Sequence, residues 1–148
     1  ACCRHDAREA EDVLHMAYLK VLDGRARFDG RSSFKTWLFG VIRMTAYEQR
    51  RRARTWLARI GDGLPEQTEA GDLRDDVELS ERAAAVRQAL QALPDRQRQV
   101  VELVFRHGLS VEEAAQAMGV GTGSARTHYA RGKARLRQRL EAAGFGDA

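Results

Sequence analysis

Residues 60–77 break the hydrophobic rhythm of this 148-residue chain more sharply than any other stretch. They hold three glycines and Pro65 with little apolar periodicity, the composition of a linker. On both sides of the break, apolar residues recur at helical spacing, and no alternating run is long enough for a strand. The chain is therefore expected to be all-α, with two small helical domains joined by a flexible acidic linker. The expected boundaries are 1–59, 60–77 and 78–143.

In the first unit, Asp6 and Glu9 make a capping-box-like start. Val13, Leu14, Ala17, Tyr18, Val21 and Leu22 supply an apolar stripe, and Gly24 is the expected stop. A loop over 25–31 leads to a second helix that Ser32 or Ser33 can cap. Phe34, Trp37, Leu38, Val41, Ile42 and Thr45 form the stripe of that helix. Its end carries Arg50, Arg51 and Arg52, favourable against the helix dipole and able to pair with phosphates.

In the second unit, Leu79, Ala83, Val86 and Leu90 mark a helix ended by Pro94. Asp95 is expected to cap the next, which carries Val100, Val101, Leu103, Val104 and Phe105 and stops at His107-Gly108. Ser110 and Glu113 form a capping box for a short helix over 111–117. Thr122 is expected to cap a last helix over about 123–141.

Charge is segregated along the chain. The net charge of +4 hides eight basic residues against one acid over 31–59, and six basic residues with no acid over 126–139. Between them, residues 66–82 carry seven acids and two arginines. Two cationic segments flanking an anionic one suit two polyanion-binding modules on an acidic connector.

Residues 110–133 read as a helix-turn-helix. Two helices that touch need a small residue at the contact, which Ala115 supplies. Gly119, four positions later, can take the left-handed turn, and Ala125 provides the buried apolar residue six further on. Val120 and Tyr129 complete the core side. The outer face of the second helix then presents Ser124, Arg126, Thr127, His128 and Arg131, donors suited to base edges and phosphates in a major groove.

These residues, taken with the first unit, resemble bacterial RNA polymerase sigma factors of the sigma-70 superfamily, closest to the small extracytoplasmic-function (ECF) type that carries only conserved regions two and four. Residues 9–14 followed by Tyr18-Leu19-Lys20 look like the polymerase-binding helix of region two. Residues 28–38 look like its promoter-opening loop and helix start, residues 93–100 like the start of region four, and 109–136 like its helix-turn-helix. The resemblance covers about residues 6–60 and 79–140.

The resemblance implies a partner for each surface. Glu11, Asp12, Val13, Leu14 and Tyr18 would bind core RNA polymerase, acids meeting a basic helix around an apolar centre. His15-Met16 stands where the family commonly has Gln-Glu, and Met44 where it often has Asn. Phe28, Ser32, Ser33, Phe34, Lys35 and Trp37 would capture an unstacked base of the minus-ten element, which needs both a stacking surface and polar groups. Phe34 and Trp37, three apart, fit a core stripe equally well. Arg43, Arg50, Arg51 and Arg52 would follow the DNA backbone. Ser124, Arg126, Thr127, His128 and Arg131 would read the minus-thirty-five element, with Lys133, Arg135 and Arg137 on phosphates. An anti-sigma partner is a further expectation from the family. Relatives usually begin with one or more helices ahead of the point where this chain starts, so the first domain is expected to be N-terminally truncated. That loss would uncover apolar stripe at about 25 cal/mol per Å².

Two other functions suit part of the pattern. A helix-turn-helix regulator of another class would precede it with strand–helix alternation and a phosphorylatable Asp, neither of which is visible. A sigma-like mimic that binds an anti-sigma protein would not need Arg126, His128 and Arg131. An enzyme is disfavoured, because no Gly-rich phosphate loop, nucleophile elbow or HExxH occurs. Cys2, Cys3, His5 and His15 do not have a standard zinc spacing, so neither a metal nor a cofactor is expected. No run approaches the roughly 18 apolar residues of a transmembrane helix, and no apolar signal core opens the chain. A cytoplasmic protein without membrane insertion is the expectation.

Overall fold

The computed structural model describes residues 7–60 and 77–146. Those residues form six helices: α1 (Ala7–Leu22), α2 (Phe34–Ile60), α3 (Val77–Gln91), α4 (Asp95–Phe105), α5 (Val111–Met118) and α6 (Thr122–Ala142). The described residues contain no strand. The chain divides into two compact units, Cys2–Gly71 and Asp72–Ala148, the first holding α1 and α2 and the second α3 to α6. Asp6, Cys2, Cys3, His5, Pro65 and the acids of 66–76 lie outside the described residues.

In the first unit the core is small. Val13 of α1 packs with Ala46 of α2, and Ile42 lies against them. Only two of the six residues of the expected α1 stripe are buried. Val13 and Ala17 are enclosed, whereas Leu14, Tyr18 and Leu22 are 58%, 61% and 64% exposed. One helix can cover only one side of another, and those three residues, spaced four apart, form a row that α2 does not reach. The two helices are laced by polar contacts. Lys20 Nζ donates to Glu48 Oε2 at 2.6 Å and to Thr45 Oγ1 at 3.2 Å, while Arg50 Nε donates to Glu9 Oε1 at 3.2 Å.

The second unit is built around Leu90, Leu93, Val100, Val101, Ala114, Ala115, Met118 and Ala125. Val120 and Tyr129 pack against that cluster, as expected for the core side of the helix-turn-helix, and Leu136 joins them. Two expected caps are displaced by one residue. Pro94 is the N-cap of α4 and offers no side-chain bond; Asp95 is the first helical residue and accepts from Arg98 Nη2 at 2.6 Å. Gly121 is the N-cap of α6, and Thr122 already lies inside the helix. In both, the preceding residue has the extended ψ of a cap, so the polar residue after it enters the helix instead. Phe105, expected in the α4 stripe, is 63% exposed at the helix end.

Candidate nucleic-acid interface

The turn between α5 and α6 determines what α6 can present. Ser110 Oγ accepts from Glu113 N at 3.0 Å, and Glu113 Oε1 accepts from Ser110 N at 3.0 Å, the capping box expected from sequence. α5 then ends on Gly119, at φ 66° and ψ 33°. That conformation is costly for a residue with a Cβ, and glycine adopts it freely. The Gly119 N–H donates to the Ala115 and Gln116 carbonyls, and Val120 N donates to Ala115 O at 3.1 Å. The chain thus reverses directly into α6, whose buried side is Ala125 and Gly132.

The opposite face of α6 carries the candidate readers. Ser124, Arg126, Thr127 and Arg131 are exposed, His128 is half-buried, and Lys133, Arg135 and Arg137 are exposed further along the helix. Two of these side chains are already engaged. Thr127 Oγ1 donates to its own helix at Gly123 O (3.1 Å), and Arg126 Nη2 donates to Glu112 Oε1 of α5 at 2.8 Å. The Arg126 bond is the largest influence holding the Glu112 carboxyl below the usual carboxylate range. Lys133 Nζ sits 4.5 Å from the Tyr129 ring centroid, an attractive cation–π position.

In the first unit, an aromatic cluster occupies the start of α2. Phe28 meets Phe34 edge-on at 5.6 Å, and lies 5.5 Å from Trp37; Phe34 and Trp37 are also 5.5 Å apart. The core-stripe reading of Phe34 does not hold. Its ring is 54% exposed, so it is no part of a helix-packing core, and Trp37 is half-buried between the two. The loop is held by Asp29, whose Oδ1 accepts from Arg31 N at 3.1 Å, and by Gly30 at φ 77°. Ser33, of the two candidate caps, does the work: its Oγ accepts from Thr36 N at 3.2 Å, while Ser32 Oγ donates to Ser33 O. Lys35 projects from the same turn and is exposed.

The remaining expected site residues are treated unevenly by the fold. Glu11, Asp12, Leu14 and Tyr18 lie exposed on α1, but Val13 is 1% exposed and belongs to the core. Arg50, expected on DNA, is largely covered and bound to Glu9. Arg51 and Arg52 are exposed, and Arg43 is half-buried with its guanidinium 4.6 Å from the Tyr47 ring centroid. Sequence reasoning missed Glu112 and Trp56. Glu112 is hidden because a capping box predicts a role for Glu113 only. Trp56, exposed among Arg52 and Arg59, continues the α2 helical register past the last residue assigned to a stripe. Among the described residues no cluster of His, Cys, Asp or Glu could hold a metal, and no helix is long and apolar enough to cross a membrane.

Two helical units, one ending in a helix-turn-helix with a cationic outer face and the other opening α2 with a half-exposed aromatic cluster, define a protein of the nucleic-acid-binding class. Known proteins carry the comparison further. Residues 3–56 match the family model for sigma-70 region 2, and residues 83–136 match that for sigma-70, region 4. The chain is 34% identical to an ECF RNA polymerase sigma factor of Bacillus subtilis, SigX, over 92% of its own length and 73% of that protein. It is 33% identical to the RNA polymerase sigma-H factor of Pseudomonas aeruginosa, over 93% of its length and 76% of that protein. Among solved structures it resembles the sigma factor RpoE of Bartonella quintana, which was crystallised in complex with the anti-sigma factor NepR. That match has a TM-score of 0.64 at 28% identity and covers 88% of this chain and 80% of that one. The chain belongs to the sigma-70 family, in its ECF branch. The match of the first unit to region 2 removes the alternative of a helix-turn-helix regulator of another class.

Proposed function

We propose that this sigma factor gives core RNA polymerase its promoter preference through three surfaces. The exposed row of α1, with Glu11, Asp12, Leu14 and Tyr18, binds core polymerase. Val13 acts indirectly, by seating α1 on α2 so that the row faces outward. The aromatic cluster of Phe28, Phe34 and Trp37 takes a flipped minus-ten base, with Ser32, Ser33 and Lys35 beside it for polar contacts. Arg43, Arg51 and Arg52 follow the strand, and Arg50 supports them by fastening α2 to α1. α6 enters the major groove of the minus-thirty-five element, with Ser124, Arg126, Thr127, His128 and Arg131 toward bases and Lys133, Arg135 and Arg137 toward phosphates.

The observation that carries this reading is the α5–α6 turn. Gly119 in the left-handed conformation and buried Ala125 leave the cationic face of α6 outermost. The protein needs no catalytic group of its own for this role: it supplies recognition, and the polymerase supplies chemistry. Each unit alone binds weakly, and the two gain affinity when the polymerase holds them at promoter spacing. An anti-sigma partner competing for the same surfaces is part of the proposal.

The test is a pull-down of the full chain with core polymerase, followed by run-off transcription on a promoter library. The expected result is core binding and a defined set of transcribed promoters, abolished by R126E/R131E. Absence of core binding, or transcription indifferent to R126E/R131E, would overturn it.

A further inference from the structure

Two adjacent glutamates at the start of α5 have separate jobs. Glu113 closes the capping box with Ser110. Glu112, one residue earlier, reaches across to α6 and accepts from Arg126 Nη2 at 2.8 Å. Among the described residues, no other candidate base reader on α6 is ion-paired to a different helix. Both partners are well exposed, with side chains 67% and 55% accessible. A pair in that setting stabilises the fold little, so its consequence lies in what Arg126 meets next.

We infer that Glu112 is a specificity-determining residue, one that holds Arg126 for base reading and penalises its use on phosphate alone. The inference rests on the proposed docking of α6 in the major groove. A guanidinium has five N–H donors in a planar fork. Nη2 carries two N–H groups, so with one on Glu112 the other can still form a two-donor edge with Nε or with Nη1 toward an acceptor in the groove. A base edge offering two acceptors in a plane can be met by the fork while the Glu112 bond persists. A phosphate cannot be approached so freely, because its charge is repelled by the carboxylate beside Arg126. Removing the carboxylate leaves Arg126 a free cation, equally content with any backbone. Selectivity arises from the repulsive element as much as from the attractive one.

The test uses the full chain assembled with core polymerase and duplexes randomised through the upstream promoter element. Transcripts are sequenced to obtain base preference at each position. R126A first identifies the positions that Arg126 reads. E112Q is then expected to lower preference at those positions by roughly fivefold, the scale of one screened charge contact at hydrogen-bonding range. Positions unaffected by R126A should keep their preference, and E112Q should add nothing in the R126A background. E112D, which keeps the charge, should restore most of the selectivity and provides the comparison if E112Q folds poorly. Unchanged preference in E112Q, with R126A still altering it, overturns this inference and leaves the docking of α6 standing. Loss in E112D equal to that in E112Q overturns it too, since charge would not be the cause. R126A without effect at any position overturns both the inference and the docking it rests on.

Discussion

Gly132 of α6 lies so close to Val101 of α4 that a Cβ at position 132 would come 2.8 Å from Val101 Cγ2 and 3.3 Å from the Gln97 carbonyl oxygen. The helix carrying the candidate base readers is therefore seated by a missing side chain. Gln97 offers backbone at this point, and Val101 is a β-branched side chain enclosed in the core, so neither yields cheaply. G132A gains about 1 kcal/mol of helix propensity but pays for overpacking of about 1–3 kcal/mol. The expected outcome is a modest loss of stability for G132A and a larger one for G132V, read by chemical denaturation. Both should also weaken upstream-element recognition, because α6 must shift to make room.

Adjacent arginines in the second half of α2, which runs on to Ile60 rather than ending at them as expected from sequence, should behave oppositely. Arg50 is bound to Glu9, with a further buried nitrogen, Nη2, lacking a hydrogen-bond partner. R50A should cost about 1 kcal/mol of stability, and the cost should shrink sharply in an E9A background. R51A should leave stability unchanged and reduce the salt dependence of promoter binding by roughly one unit of log–log slope. Thermal unfolding of the four variants and salt titrations of holoenzyme binding separate the two roles.

Loss of the capping box should be felt at a distance. S110A removes the acceptor for Glu113 N, while the residue-110 backbone N–H that donates to Glu113 Oε1 remains. The expected destabilisation is about 1 kcal/mol, measured by denaturation. S110D, which retains an acceptor oxygen, should recover most of it.

Acid should dissolve the Glu112–Arg126 pair later than an ordinary glutamate would protonate. The folded-state pKa of Glu112 is lowered, chiefly by the Arg126 side-chain bond. Whatever this pair adds to stability is thus complete above the unfolded-state pKa and lost as pH falls through the lowered folded value. NMR titration of the Glu112 carboxyl should place its midpoint below that of a model glutamate, and R126A should raise it toward the model value. Asp23 should likewise titrate low, its carboxylate accepting first from the Arg25 backbone N–H at 3.0 Å and also from Arg25 Nε at 2.7 Å.

Much of the candidate site was legible without coordinates, and particular residues show why. Gly119 and the Ser110/Glu113 pair could be placed because turns and caps are local: a left-handed φ needs glycine, and a capping box needs its two partners three apart. Ala125 could be placed because it lies a known number of residues from that turn. Asp95 and Thr122 were misplaced by one residue, since the boundary is decided by the backbone of Pro94 and Gly121 rather than by the nearest polar side chain. Arg50 and Arg51 could not be told apart, because a run of arginines reads as uniform charge until the helix partner is known.

The order of residues, taken alone, determined six helices' worth of periodicity, the turn into α6 and the segregation of charge, because each depends on neighbours within a few positions of one another. Tertiary packing decided which members of a pattern remain outside. It put Val13 in the core and left Leu14 and Tyr18 exposed, and it exposed Phe34 on an aromatic cluster. It also joined Glu112 to Arg126 across fourteen positions of sequence. The physical reason is that periodicity specifies a helix face, whereas burial and pairing depend on how much of that face a second helix can cover.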